Sequence, residues 1–186
     1  MNSVLLQELA RFNNLIEVIK NSLHTLIKTL EGKILMTVEL ERLQTSISNN
    51  NVPDMWKARS YPSKKPLMSY IKDLRARLKM LEEWIEKGQP NIFWISGFFF
   101  TQSFLTGVKQ NFARKYQYPI DKVTFKFQVL KHEDFEKIEK SPESGCLTTG
   151  LYLEGASWKD QEGVLQESEP KVLFTKMPLI HFIPEL

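Results

Sequence analysis

Few residues in this 186-residue chain have the types and spacing to carry chemistry. Three histidines (His24, His132, His181), one cysteine (Cys146) and the Gly32-Lys33 step of "EGKILM" are the candidates for a metal site, a thiol nucleophile and a phosphate loop. A zinc site needs His or Cys ligands a few residues apart. The histidines instead fall on a helical stretch, a polar loop and a strand-like stretch, with no second His or Cys at that spacing. A phosphate loop needs G-x-x-x-x-G-K-[ST], whose backbone N–H groups cradle the phosphates. Gly32-Lys33 lacks the rest of that pattern, and no G-x-G-x-x-G occurs. Cys146 is a nucleophile only if a base folds beside it, and a lone loop cysteine reads as inert. Glu82, Glu83 and Glu86 read as the wet side of a helix. No nucleophile, base and orienting group assemble from local signals, which weakens an enzyme reading; a triad formed only in space stays open.

The elements that would position such residues begin with composition. The apolar fraction of 42% and charged fraction of 25% are those of a globular protein. A net charge of +3 gives no strong field for nucleic acid or a membrane. A single cysteine rules out an intrachain disulfide and suits a reducing, cytosolic compartment. "MNSVLLQELARF" carries acidic Glu8 at helical spacing, unlike a signal peptide. The densest apolar run, "IFWISGFFF", is far short of the ~20 residues of a membrane span.

Leu5, Leu9, Phe12, Ile16, Ile19, Leu23, Leu26 and Leu30 recur at steps of mostly four and three, predicting a long first helix that stops at Gly32. A bundle helix is favoured over a coiled coil, because so few heptads are marginal alone. A second helix is expected over Ile34–Ile47, with Leu35, Val38, Leu40 and Leu43 apolar. The connector "PDMWKARSYPSKKP" has three prolines and should hold no regular helix, with Trp56 and Tyr61 pinning it. From Lys57 to Lys79, eight Lys/Arg stand against one acid, Asp73. A solvated helix face is the favoured reading of this charge, and an anion or acidic protein face the alternative.

A third helix is predicted over Leu67–Lys87, with Pro66 at N1, Gly88 as the stop and Leu67, Ile71, Leu74, Leu78, Leu81 and Ile85 as its stripe. "IFWIS" reads as a buried strand or extended segment. In "SGFFF", Gly97 is expected to allow a tight turn, and Phe98, Phe99 and Phe100 to plug a seam beside the third helix. A fourth helix spans Thr101–Tyr116, with Phe104, Leu105, Val108 and Phe112 apolar, and Tyr118-Pro119 ends it. "KVTFKFQVL" alternates, predicting a half-buried strand with Val123, Phe125, Phe127 and Val129 on one face. "LKHEDFEKIEKSPESG" reads as a loop, and "CLTTGLYLEGASW" and "KVLFTKMPLIHFIP" as further strands. About four helices followed by about four strands make an α+β fold: a helical segment over 1–90, then an aromatic segment, a helix and an incomplete antiparallel β part over 91–186.

Five separated blocks carry a resemblance: "LLQELARFNNLIEVIKNSLHTLIKTLEG", "VPDMWKARSYPSKKPL", "YIKDLRARLKMLEEWIEKGQPNIFWISGFFFTQSFLTGVKQNFARKYQYPIDKVTFKFQVL", "GLYLEGASW" and "PKVLFTKMPLI". In order and spacing they resemble the C-terminal region of dynein heavy chains. The "SGFFFTQSFLTGVKQNFARK" block is similar to axonemal members in particular. Departures include Ser157 where arginine is usual, Lys64 where leucine is common, and the less aromatic "SGCLTTG". The family's β part continues beyond the point matched by "HFIPEL", so an incomplete barrel with an unpaired edge is expected.

The resemblance implies a non-catalytic region that lies along one face of a ring of AAA+ modules, braces it and tunes motor output. It implies no catalytic, cofactor or metal residue in this chain; ATP and Mg belong to the ring modules. The implied partners are those modules and, through the full complex, dynein intermediate and light chains and microtubules, with neither nucleic acid nor membrane, in the cytoskeleton of a cilium or flagellum. Trp56, Tyr61, Trp84, Phe93, Trp94, Gly97, Phe98, Phe99 and Phe100 are the expected packing residues, and Lys57, Arg59, Lys64 and Lys65 the candidate ring contacts. A free-standing helical adaptor that binds a partner helix through the Leu5–Leu30 stripe is the alternative; it requires that stripe to be exposed.

Overall fold

The computed structural model describes residues 2–130, 138, 140–160 and 162–186. His132 and half of the polar stretch expected to be a loop lie outside them. The polypeptide gathers into two compact units: Leu5–Glu83, and Trp84–Leu186 together with the first residues up to Val4.

The first unit is helical. Helix α1 (Asn2–Leu30) ends as expected at Gly32: the Lys33 N–H reaches back to the Lys28 carbonyl and the Gly32 N–H to that of Thr29, both at 2.9 Å, the double bond of a Schellman stop. Its buried line differs from the apolar stripe by about one residue. Val4, Glu8, Phe12, Leu15, Ser22, Leu26 and Thr29 are buried, whereas Leu30 is exposed and Leu5, Leu9, Ile16, Ile19 and Leu23 are half-buried. The polar members explain the offset. Ser22 accepts a hydrogen bond from the Trp56 indole at 2.9 Å, and Thr29 donates to the Thr25 carbonyl at 3.0 Å. With Phe12 and Leu15 fully covered, the face an adaptor would present is already used by the protein's own packing.

Helix α2 (Val38–Ser48) starts later than the apolar pattern suggests. Thr37, in extended conformation, caps it by accepting from the Leu40 N–H at 3.3 Å, and a capped start outweighs the apolar residues before it. Leu40 and Leu43 are buried as expected, but Leu35 and Val38 are exposed. The proline-rich connector does hold one helical turn, α3 (Asp54–Lys57), because Pro53 fits immediately before a helix start.

Helix α4 (Leu67–Lys87) has the predicted bounds. Pro66 sits at the N-cap and not at N1: its carbonyl already accepts the first helical bond, from Tyr70 at 2.8 Å. The two foremost N–H groups of α4 are met from a distance. Asn50, at φ 56 after α2, accepts from Leu67 through its carbonyl (2.8 Å) and from Met68 through its Oδ1 (3.0 Å). The buried line is Leu67, Tyr70, Leu74, Arg77, Leu81 and Trp84, at alternating steps of three and four, while Ile85 is exposed.

The second unit begins within α4 at Trp84. Strand β1 (Ile92–Trp94) and a 3-10 turn (Ile95–Gly97) lead to α5 (Thr101–Tyr116), whose bounds are those predicted. Seven further short strands follow among the described residues: β2 (Thr124–Val129), β3 (Cys146–Thr149), β4 (Tyr152–Glu154), β5 (Ala156–Lys159), β6 (Val164–Glu167), β7 (Phe174–Lys176) and β8 (Ile180–Glu185). The eight replace the four or so expected, since each apolar run is cut by a turn. Strands β1-β3-β8-β2 form one sheet, and β4-β7 and β5-β6 are two-stranded ribbons. The β1–β3 pair is parallel and the other pairs are antiparallel. The strands do not close into a barrel among the described residues, consistent with an incomplete β part. Among the described residues β2 is an edge of its sheet, and the apolar face of this stretch is only partly covered: Val123 is buried, Phe125 and Val129 are half-buried, and Phe127 is exposed.

The Asn50 cap gives a test. Asn50→Ala removes the bond to Met68 and puts a Cβ-bearing non-Asn residue at positive φ, and it should destabilise the protein by about 1–2 kcal/mol in urea unfolding. Asn50→Gly keeps the backbone conformation and should cost only a few tenths. Stability of Asn50→Ala equal to that of the unsubstituted protein would show that this long-range cap contributes nothing.

Candidate functional site

The connector is held by a polar cluster on the buried line of α4. Asp73 accepts from Arg77 Nε at 2.7 Å and from Lys65 Nζ at 2.5 Å, with the Asp73 side chain only 7% exposed. The Arg77 guanidinium lies 3.9 Å over the Tyr61 ring, close enough for a cation–π contact. Tyr61 stacks on Tyr70 at 5.7 Å, and the Tyr70 hydroxyl pairs with Ser60 at 2.8 Å. Residues from the connector (Ser60, Tyr61, Lys65) are thus fixed to three successive turns of α4.

Electrostatics follow from this packing. Burial alone would raise the Asp73 carboxyl, but hydrogen bonds from Lys65 and Arg77, with the charge of Arg77, outweigh it and hold the pKa below its ordinary value. Burial first, and then the neighbouring Asp73 carboxylate, push the Tyr61 phenol well above its ordinary range. Both shifts favour the species that pack here, an ionised Asp73 and a neutral Tyr61. The cluster is built for holding, with its acid committed to two cations.

Of the four basic residues singled out in the connector, Lys57 pairs with Asp54 at 2.9 Å and Lys65 with Asp73, while Arg59 and Lys64 are exposed. Lys57, Tyr61 and Lys64 share an open cleft of about 500 Å³, with Val52, Ser60 and Tyr70 on its other walls. Trp56 and Tyr61 are both buried.

The remaining aromatic candidates gather in the second unit. Phe98 stacks on Phe104 at 4.5 Å, Phe93 lies 4.8 Å from Phe104, and Trp84 meets Phe93 edge-on at 5.3 Å. Trp94 is half-buried and packs on Gly150, whose φ is +89 and where an added Cβ would come within 2.4 Å of the indole. The three phenylalanines diverge: Phe98 is buried, Phe99 half-buried and Phe100 exposed. Gly97 is buried at the end of the 3-10 turn, and the glycines at positive φ lie elsewhere. The tight turn therefore comes from a 3-10 bond between the Phe98 N–H and the Ile95 carbonyl (3.4 Å).

The chemical candidates stay apart. Cys146 is buried, and that burial pushes its thiol up to about 12, so it is protonated at neutral pH and a poor nucleophile. It lines a cavity of about 160 Å³ with Phe93, Asn111 and Lys115 among its walls, and Lys115 donates to the Glu143 carbonyl at 3.2 Å. His181 donates through Nε2 to the Ser144 carbonyl at 2.9 Å, tying β8 to the turn before β3, and His24 is exposed on α1. No group of His, Cys, Asp or Glu among the described residues has the arrangement of a metal site. Sequence reasoning missed Asp73, Arg77 and Tyr70 as a unit. The i,i+4 spacing of Asp73 and Arg77, with Tyr70 one turn earlier, was the available signal.

The protein belongs to the family formed by the C-terminal domain of dynein heavy chains, whose family model matches residues 1–186. It is similar over its whole length to axonemal heavy chains in particular. It is 52% identical over 186 residues to dynein axonemal heavy chain 12 of Mus musculus, covering 100% of this chain and 6% of that one. Dynein axonemal heavy chain 1 of Mus musculus is 49% identical over 185 residues (100% of this chain, 4% of that one). Dynein axonemal heavy chain 3 of Homo sapiens is 50% identical over 184 residues (99% and 4%). The sequence therefore spans only a small fraction of the length of the curated relatives it matches.

Asp73→Asn should cost roughly 2–3 kcal/mol, less than the ~3–5 of a fully buried broken pair because Lys65 is half exposed. It also changes the pH response. A depressed folded pKa contributes stability above the ordinary carboxylate value of 3.8 that is lost as pH falls through the folded pKa. The acid limb of stability should accordingly be steeper in the unsubstituted protein than in Asp73→Asn. Parallel acid limbs in urea titrations would remove Asp73 from the account.

Proposed function

We propose that this polypeptide is a non-catalytic part of an axonemal dynein heavy chain that braces the AAA+ ring of the same polypeptide and modulates ATP-driven, microtubule-based movement in cilia or flagella. The observation that carries this reading is the match to axonemal heavy chains at about half identity over the whole sequence. In it, nucleotide and Mg are held by ring modules elsewhere in the heavy chain, and intermediate chains, light chains and microtubules are partners through the full complex.

The mechanism is mechanical. Modules that shift as nearly rigid bodies during a nucleotide cycle are resisted, or coupled, by an element that keeps its own packing. Helices α1 and α4, about 40 Å and 30 Å long at 1.5 Å per residue, are suited to that work. Trp56 and Tyr61 in the first unit and Trp84, Phe93, Trp94, Phe98 and Phe99 in the second stiffen the elements they join. The exposed Arg59, Lys64 and Phe100 are the candidates for contact with a ring module, whereas Lys65 is engaged by Asp73.

Two measurements test the reading. The isolated polypeptide should bind no Mg-ATP in calorimetry and turn none over; stoichiometric binding with hydrolysis above blank would overturn the non-catalytic assignment. In the full heavy chain, Phe98→Leu, which should cost about 1–2 kcal/mol of local packing, is expected to alter microtubule gliding velocity while ATP turnover persists. Unchanged gliding in a variant proven looser by hydrogen exchange would remove the bracing role.

A further inference from the structure

One face of α4 is absorbed neither by the core nor by the polar cluster. Lys72, Arg75 and Lys79, at steps of three and four, are exposed on that face with Glu82 one further step of three along it. With Ala76 and Leu78 they line a shallow groove. None of these four charged residues forms an ion pair among the described residues. The reason lies on the opposite side of the helix. Asp73, the one acid between Lys57 and Lys79, is turned inward and held by Lys65 and Arg77. The acid that would have neutralised the outer basic residues is already committed. Like charges three and four residues apart on a helix repel, so the arrangement lowers the stability of the free protein.

We propose that this face is a docking surface for an acidic protein segment. Its charge order fixes the chemistry of the occupant. Three positive positions over about 10 Å of helix are followed by one negative position, Glu82, and beyond it Glu83 and Glu86 are also acidic. A partner helix with carboxylates at steps of three and four, and a lysine or arginine one step of three beyond, matches all four charges. A nucleic-acid backbone or an anionic bilayer presents uninterrupted negative charge and meets Glu82 with repulsion, so the observations favour a peptide of mixed pattern. Burial of the alkyl stems over Ala76 and Leu78 adds apolar contact to the ion pairs. The inference stands independently of the ring-bracing role.

The test uses the full 186-residue polypeptide and a synthetic helical peptide with Glu at steps of three and four and Lys one step of three further on. Binding by fluorescence anisotropy at low ionic strength should weaken with added salt. Lys72→Gln/Arg75→Gln/Lys79→Gln should weaken it about tenfold or more, whereas Lys20→Gln/Lys122→Gln/Lys126→Gln, with the same change in net charge, should leave it unaltered. The charge-reversed Lys72→Glu/Arg75→Glu/Lys79→Glu should in turn bind a peptide with Lys at all four of the corresponding positions. Thermal melts of the glutamine variant should show unchanged or raised Tm, separating lost docking from lost folding. Absence of binding at low salt, equal binding by both triple-glutamine variants, or binding of duplex DNA or phosphatidylserine vesicles as tight as that of the peptide would each overturn the proposal.

Discussion

A charge on the buried line of a helix must find its partner on the spot, and that constraint organises the helical unit. Arg77 occupies such a position on α4, with its side chain 10% exposed. An unpaired guanidinium there would carry a desolvation cost of several kcal/mol. Asp73, one turn earlier, answers the charge, and the Tyr61 ring covers the guanidinium face. Because Tyr61 and Lys65 both belong to the connector, satisfying Arg77 also places a segment whose prolines deny it regular structure. Trp56 fixes the other end of that segment to Ser22 of α1. The connector's path therefore follows from side-chain commitments at both of its ends, with the Ser60–Tyr70 hydrogen bond between them.

The second unit solves a different problem with different means. Its strands are three to six residues long and offer few ladder bonds each. Aromatic volume supplies what the strands lack: Trp84, Phe93, Phe98 and Phe104 form one contiguous cluster at ring separations of 4.5 to 6.3 Å. Buried pairs of this kind contribute about 0.5–1.5 kcal/mol beyond area burial. The turns between strands depend on close backbone approach. Gly145, at φ +80, sits where a Cβ would come within 1.9 Å of the Phe182 carbonyl oxygen of β8, so the β3–β8 register and a side-chain-free residue are the same requirement.

The helices were legible where punctuation and periodicity agreed. Gly88 after α4 and Tyr118-Pro119 after α5 marked ends that apolar spacing alone leaves loose. The start of α2 was not legible from apolarity, because Ile34, Leu35 and Met36 mimic a helix that Thr37 actually begins. The core line of α1 was misplaced by about one residue, while that of α4 held at Leu67, Leu74 and Leu81; a search for aliphatic spacing passes over Glu8, Ser22, Thr29 and Arg77, and over Tyr70 and Trp84, all of which are buried. Short strands carry too few alternations to declare themselves, so β4, β5 and β6 merged with neighbours or went unseen. Among the site residues, Trp56 and Tyr61 stood out by type. Asp73 and Arg77 were hidden in a run of basic residues whose average said only that the helix was charged.

That average concealed a sorting. On α4, Arg77 turns inward with Asp73 while Lys72, Arg75 and Lys79 face outward, so one helix carries a neutralised polar core and an uncompensated basic surface. Moving a second acid into the outer face would relieve repulsion by a few tenths of a kcal/mol per pair. Glu82, Glu83 and Glu86 are present but cluster near the C-terminal end of α4, where the helix dipole disfavours them. Neither folding nor the dipole accounts for this segregation, since intermixing the same residues would serve both better. The acidic segment proposed above would supply the compensating charge that the helix itself does not.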